Sequence, residues 1–196
     1  MISKLAKNIA HFLVVQNITE ESKEVIYAYG MELLISDVLN AIIVLLIALI
    51  FHTLPAVVVF IAVFMGLRQF VGGYHANSYL SCMFMLVMVM LAFSYGICNI
   101  SGQITQIFSI GFIATALPVI FCIAPVPHPN KLMSEKKGVK LRKRGVILAV
   151  ALSVAVIVLL VFQYQKISLY VSSGILLSAI MALLGRFLNR GDNSKR

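Results

Sequence analysis

Long blocks of apolar residues, separated by short polar segments, fill most of this chain. Six blocks can be distinguished, and each contains enough apolar residues, roughly 18 or more, to cross a bilayer as an α-helix. Because a segment in lipid must satisfy its own backbone hydrogen bonds, each block is predicted to be helical. The approximate bounds of the blocks are Leu33–Phe51, Leu54–Val71, Tyr79–Ile97, Ile104–Ala124, Val146–Tyr164 and Ile167–Leu184.

A shorter stretch before the first block has a different pattern. Ile2, Leu5, Ile9, Phe12 and Leu13 recur at helical spacing, and lysine, asparagine and histidine occupy the positions between them. This pattern predicts an amphipathic helix. The helix is expected either to lie in the membrane interface, with its lysines near anionic lipid, or to pack against the protein's own cytoplasmic face.

Composition agrees with a membrane protein. The 196 residues are 61% hydrophobic and only 12% charged, whereas a soluble domain has a charged fraction of about 25%. The N-terminal residues contain no continuous apolar core of a cleavable signal peptide. We therefore predict one all-α, polytopic domain over residues 1–196, with an amphipathic segment (1–30), a six-helix membrane region (33–184) and a cytoplasmic tail (185–196).

The basic residues predict how the chain is oriented. If the N-terminus is cytoplasmic and six helices alternate, 15 of the 16 Lys and Arg residues fall on the cytoplasmic side, and only Lys166 falls outside. Basic residues are enriched in cytoplasmic loops of membrane proteins. Both termini and the loop between the second and third spans are therefore predicted to face the cytoplasm.

That loop contains most of the polar chemistry of the membrane region. The segment RQFVGGYHANSYLSC, residues 68–82, contains an arginine, two glycines, a histidine and a cysteine. His75 and Cys82 are seven residues apart, so on one straight helix they would lie about 10 Å apart along the axis. A general base and its nucleophile need direct contact near 3 Å, and a continuous helix would therefore prevent catalysis.

The intervening residues offer a way to close this gap. Gly72 and Gly73 permit a tight, non-helical turn, and Asn77 or Ser78 is a suitable N-cap for the third span. Cys82 would then lie in the first turns of a helix, where the helix dipole favours a thiolate.

The residue types alone leave other interpretations open. A cysteine in a membrane helix is usually a small packing residue, and a histidine at a membrane boundary is often only solvated. Zinc usually takes four ligands, and no HExxH or paired CxxC motif occurs here, so no metal site is expected. No cofactor is expected either.

The motif resembles that of the accessory gene regulator protein B (AgrB) family, on the basis of Arg68, Gly73, His75 and Cys82 in a loop before a membrane helix. The GGYHA core with a cysteine seven residues after the histidine is the specific part. The resemblance implies a cysteine endopeptidase of the bacterial plasma membrane that processes an AgrD-like propeptide in quorum sensing. It also implies Cys82 as nucleophile and His75 as general base, with Arg68 and Gly73 required around the site; Gly72 is assigned a supporting role because it permits the turn. The propeptide tail would leave through a thioester, and the peptide would then close to a thiolactone or lactone.

Arg68 and Asp37 have several possible roles. Arg68 is a candidate for stabilising an oxyanion, for binding a substrate carboxylate, or for anchoring to lipid phosphates. Asp37 is expected at the same depth as the motif, where it can orient His75, pair with Arg68, or mark the point at which the first span leaves the membrane.

The loop NKLMSEKKGVKLRKRG before the fifth span is strongly basic. Such a cluster holds a loop in the cytoplasm and contacts anionic membrane lipids. It can also bind the acidic tail that propeptides of the family carry. The residues assigned to this binding surface are Lys136, Lys137, Lys140, Arg142, Lys143 and Arg144. Nucleic acid is not an expected partner, because the loop is tethered at the membrane and has no aromatic residues for base stacking.

Two other classes of membrane protein fit this pattern less well. A small transporter or channel would need polar groups at mid-membrane in several helices, and the predicted spans of this chain contain few such groups. A scaffold without catalysis would not need the arginine, glycine, histidine and cysteine of the motif. Small residues of the fourth span, Gly111, Ala114 and Ala116, can support helix contacts or a homodimer.

Overall fold

The computed structural model describes residues 2–16, 20–73, 79–126 and 135–193, and the secondary structure in these ranges is helical without any strand. Within them, six helical segments are long and apolar enough to cross a membrane; the third, Ser81–Asn99, runs through the helix Tyr79–Leu91 and the π-helical (Ala92–Gly96) and 3₁₀ (Ile97–Asn99) turns that continue it. The all-α class and the six predicted spans are therefore confirmed. The helices are α1 (Ile2–Val15), α2 (Glu24–Ile50), α3 (Leu54–Val71), α4 (Tyr79–Leu91), α5 (Gln103–Ile123), α6 (Glu135–Val161) and α7 (Gln165–Asn193).

Several helices are longer than the apolar blocks that predicted them. Helix α2 begins at Glu24 rather than Leu33, and α7 continues to Asn193, through most of the predicted tail. Helix α6 begins at Glu135, so most of the predicted basic loop forms its first turns. Lys, Arg, Glu and Leu have high helix propensity, and extending an existing helix is far easier than starting one. Hydropathy identified the apolar part of each helix and missed its polar extension.

Two apolar cores hold the bundle together, and α3 contributes to both. The first core joins α3, α5, α6 and α7 and includes the fully buried Leu67, Ile120 and Ile175. The second core joins α2, α3, α4 and the π-helical turn that continues α4, where the rings of Phe60 and Phe93 stack with centroids 4.1 Å apart. The first half of α3 thus packs in the second core, and its last turns, with Leu67 and Val71, pack in the first.

Helix α7 is the most buried span of the bundle. In its most apolar segment 61% of the residues are buried, whereas the buried share in each of the other five described spans is 33% or less. Its buried polar residues are serines, and the hydroxyls of Ser172 and Ser178 bond to carbonyls one turn earlier, Leu169 and Gly174. Small residues let membrane helices approach closely. At Gly174 an added Cβ would lie 2.9 Å from Val63 Cγ1, so α3 and α7 are in direct backbone contact there.

Of the three small residues of α5 named above, one is buried against other helices. Ala116 is fully buried, but Gly111 and Ala114 are exposed on the surface of the bundle. Of the two predicted roles, helix contacts within the chain therefore apply to Ala116, whereas Gly111 and Ala114 are not buried by a neighbouring helix. Their part in a homodimer stays a prediction.

Helix α1 packs along α2 through small residues. Ala6 and Ala10 are fully buried, whereas Leu5 and Phe12 remain 52% and 58% exposed. The predicted amphipathic helix therefore forms and packs against the protein itself. Its remaining apolar side chains face outward, where they are available to lipid in an interfacial position.

The bundle has two ends that differ in charge. We call the end that holds Arg68, Cys82, Cys122 and Arg144 the motif end. At the opposite end, Lys166 Nζ donates to the carbonyl oxygens of Cys98 (2.9 Å) and Ile100 (2.7 Å). These carbonyls belong to the 3₁₀ turn Ile97–Asn99 that follows α4 and to the residue after it. The one basic residue that departs from the predicted charge distribution thus has a structural role, because a cation stabilises the carbonyl end of a helix.

The contact between α3 and α7 leads to a stability prediction. We expect Gly174→Leu to destabilise the bundle by about 1–3 kcal/mol or to prevent its accumulation, because the side chain must displace Val63 and the backbone of Phe60. Gly111→Leu is the matched control, since an added Cβ at Gly111 meets nothing within 4 Å. Thermal unfolding of both variants in detergent tests this, and equal melting temperatures would contradict the close α3–α7 contact.

Candidate functional site

Helix α3 ends in a turn that requires glycine. Gly72 has φ 75° and ψ −159°, a backbone conformation that is essentially restricted to glycine. Its N–H donates to Arg68 O at 3.0 Å and closes the last turn of the helix. The predicted non-helical turn at Gly72 and Gly73 is therefore present.

Two other parts of the chain, the segment after α5 and helix α7, pack against this turn. After α5, the N–H of Val126 donates to Val71 O at 3.0 Å. An added Cβ on Gly72 would lie 2.5 Å from Val126 O, and one on Gly73 would lie 3.2 Å from Met181 of α7. The glycine pair is thus needed for close backbone packing, a role that the sequence analysis did not predict.

Helix α4 begins at Tyr79, between His75 and Cys82. Cys82 therefore lies in the first described turn of α4, as the spacing of the motif requires. His75, Asn77 and Ser78 lie outside the described residues, so the contact between His75 and Cys82 stays a prediction.

Cys82 lies on the packed side of α4, although its own side chain is exposed. Leu86, Met90 and Phe93 follow it at helical spacing and belong to the second core. Phe84 and Met88, by contrast, lie on the outer side of the helix and are 68% and 53% exposed. The exposure of Cys82 therefore arises from its position at the motif end of the bundle, where the core no longer covers it.

Arg68 is the charged residue that the structure brings close to this cysteine. Its side chain is half-buried, and its Cζ atom lies 5.6 Å from the centroid of the Phe64 ring. The guanidinium interacts electrostatically with Cys82, so the last turn of α3 and the first turn of α4 place a fixed positive charge near the thiol. The other two cysteines differ, since Cys98 lies at the opposite end and Cys122 is exposed near the end of α5.

Asp37 is exposed on α2. Among the residues that the structure describes, no ion pair joins it to Arg68; the ion pairs found there are His11–Glu24 and Lys23–Glu20. Its predicted role in orienting His75 stays a prediction.

The basic first turns of α6 have two distinct sides. Lys140, Lys143 and Arg144 are exposed, and by helical spacing they share a face with positions 136 and 137, whose side chains lie outside the described part of the chain. Arg142 lies on the other side, where its Nη2 donates to Phe121 O of α5 at 3.1 Å. The backbone of α6 thus separates Arg142 from the other residues that the sequence grouped with it.

Arg186 of α7 has a matching contact that the sequence analysis missed. Its Nη1 donates to Cys122 O at 3.2 Å, next to the carbonyl that Arg142 binds. Arginine near the carbonyl end of a helix is a known stabilising pattern, but here both arginines come from other helices. Local sequence therefore contained no signal for the contact.

The strained glycine leads to a prediction with a close control. Gly102 has nearly the same backbone conformation as Gly72, with φ 71° and ψ −155°, but an added Cβ there meets nothing within 4 Å. Gly102→Ala should therefore lower the free energy of unfolding only by the cost of the strained backbone conformation, on the order of 1–3 kcal/mol. Gly72→Ala should lower it further, because the new Cβ would also displace Val126. Thermal unfolding in detergent measures the difference, and an equal loss in both variants would argue against the Val126 contact.

Comparison with known proteins gives a consistent result. The family model described as Accessory gene regulator B (AgrB) matches residues 3–182. A protein of Clostridium beijerinckii named AgrB-like is 26% identical over 145 residues, which cover 72% of this chain and 71% of that protein. AgrB-like protein 2 of Clostridium perfringens strain 13 is 24% identical over 189 residues, which cover 93% of this chain and 88% of the relative. No solved structure is significantly similar to the chain.

Proposed function

Because the chain belongs to the AgrB family, we propose that it is a membrane cysteine endopeptidase that processes an AgrD-type propeptide. The observation that supports this most directly is the position of Cys82. It is exposed in the first turn of α4, on the packed side of the helix and within electrostatic range of Arg68.

In the proposed reaction, Cys82 Sγ attacks the carbonyl carbon of the peptide bond that precedes the propeptide tail. The C–N bond breaks, His75 gives a proton to the leaving amine, and the remaining peptide stays attached as a thioester. A Cys or Ser side chain within this peptide then attacks the thioester carbonyl. The ring closes as a thiolactone or lactone, and Cys82 leaves as the thiol.

Two groups are candidates for stabilising the oxyanion that forms during attack. Backbone N–H groups at the start of a helix point along its axis and can bind negative charge, and the first turn of α4 contains Cys82. The Arg68 guanidinium lies near the same sulfur and attracts negative charge that develops there.

The exposed basic face of α6 is proposed to attract the acidic propeptide tail. Lys140, Lys143 and Arg144 lie at the same end of the bundle as Cys82, since α6 contacts the end of α5 and Gly145 packs on Phe70 of α3. With the positive-inside rule, this end faces the cytoplasm, where an unprocessed propeptide would be synthesised. We keep membrane lipid as a second partner of this face.

The described residues give little support to a transport function. Their buried polar side chains are all Ser or Thr, and several of these hydroxyls bond within their own helices. A substrate or ion pathway usually contains ionisable or amide groups at mid-membrane. The exposed cysteine near an arginine favours catalysis.

The nucleophile can be tested directly. Cys82→Ala is expected to abolish tail removal from the cognate propeptide. Cys98→Ala and Cys122→Ala should retain most of the activity, because Cys82 is the cysteine that interacts electrostatically with Arg68. His75→Gln should reduce the rate nearly as much as Cys82→Ala, since members of one catalytic unit are not additive. Peptide release from proteoliposomes measures this, and normal cleavage by Cys82→Ala would exclude the mechanism.

The charge of α6 can be tested through kinetics. Replacing Lys136, Lys137, Lys140, Lys143 and Arg144 by Gln should raise KM much more than it lowers kcat, because long-range attraction acts on substrate capture. Arg142 is kept in this variant because it binds α5. Labelling of a cysteine introduced in α6, in a chain without the native cysteines, must first show that topology is unchanged. If acidic-tailed and neutral-tailed peptides have the same KM in the native enzyme, the basic face does not bind the tail.

A further inference from the structure

The end of α5 is bound by arginines from two other helices. The last four carbonyl groups of a helix lack partners within it. In α5, Ile120 O accepts from Ala124 N (3.0 Å), while Phe121 O and Cys122 O accept from Arg142 of α6 and Arg186 of α7. A guanidinium is well suited to this place, because it opposes the negative end of the helix dipole and makes charge-assisted hydrogen bonds.

The bound end of α5 leads at once to the glycine turn of the motif. Only Ala124 and Pro125 separate Ile123, the last residue of α5, from Val126. Val126 N donates to Val71 O, and Val126 O lies against Gly72. A shift of the α5 end is therefore transmitted over three residues to the turn that joins α3 to α4.

We propose that Arg142 and Arg186 are positioning residues for the candidate active site. By holding the end of α5, they keep Val126 against Val71 and Gly72, and so fix the turn from which the chain continues to Cys82. The catalytic consequence rests on the proposed peptidase function, whereas the structural consequence for residues 68–73 does not. Neither arginine needs to touch the substrate.

Arg144 provides a matched control for Arg142. Both arginines are exposed on α6 and have the same charge, but residues two positions apart on a helix point to nearly opposite sides. Arg142→Gln and Arg144→Gln therefore remove the same charge at almost the same depth, and only Arg142→Gln removes the bond to Phe121. Each single variant also leaves Arg186 bound to Cys122, so the fold keeps one of the two contacts.

Hydrogen–deuterium exchange of the full chain in detergent tests the structural consequence. We expect Arg142→Gln and Arg186→Gln to speed exchange about fivefold in residues 119–126 and also in residues 68–73, with residues 24–50 unchanged. Arg144→Gln should leave all three segments unchanged, and Arg142→Lys should partly restore the native rates because lysine can also donate to a helix carbonyl. Faster exchange that is confined to 119–126, or that occurs equally in Arg144→Gln, would overturn the proposal.

Kinetics tests the catalytic consequence separately. Misplacement of the turn should lower kcat roughly tenfold in Arg142→Gln with little change in KM. A raised KM with native exchange rates would instead mean that Arg142 contacts substrate, and it would overturn the positioning role. If the unaltered protein cleaves no AgrD-type peptide, the proposed function fails, while the exchange of residues 68–73 still decides the structural proposal.

Discussion

The close approach of three backbone segments at Gly72 and Gly73 is the constraint on which the candidate site depends. The carbonyl of Val71 at the end of α3 must find a donor, because an unsatisfied backbone group at a membrane boundary is costly. Val126 provides this donor, and only glycine leaves room for it. The turn is thereby fixed relative to α5 and α7, and the start of α4, with Cys82, follows within ten residues of Gly72.

Arg68 and Cys82 belong to helices that differ in how extensively they pack in the bundle. Arg68 belongs to α3, which packs in both cores and touches α7 through Gly174. Cys82 belongs to α4, a peripheral helix whose outer face, with Phe84 and Met88, is exposed. In the proposed mechanism, a cation beside an exposed Cys82 at the motif end suits a substrate that arrives along the membrane surface. Such a substrate can reach the sulfur without entering the helical core.

The sequence predicted what depends on local pattern and missed what depends on distant contacts. Hydropathy predicts the six spans, and the spacing of His75 and Cys82 with the Asn-Ser pair between them predicts the start of α4. The same reasoning could not find α7 as the most buried helix, because its mean hydropathy, 2.1, equals that of three other spans, and its close packing depends on serines and a glycine that contact distant helices. It also grouped Arg142 with its basic neighbours, because its partner Phe121 lies 21 positions away in the chain. Polar extensions such as the start of α6 at Glu135 were missed for a further reason, since propensity rather than hydropathy determines them.

The basic residues at the motif end show why a count of charges is an incomplete description. In the positive-inside rule Arg142 and Arg144 are equivalent, and so is Arg186. In the structure Arg142 and Arg186 bind the carbonyl end of α5, whereas Arg144 is exposed on the opposite side of α6. Helix α6 thereby presents one side to the bundle and the other to the surroundings. Because the two sides are distinct, binding of an acidic tail or anionic lipid need not compete with the contacts that hold the glycine turn. Under the proposed function, a change in the charge of the exposed side would therefore alter substrate capture without altering the geometry around Cys82.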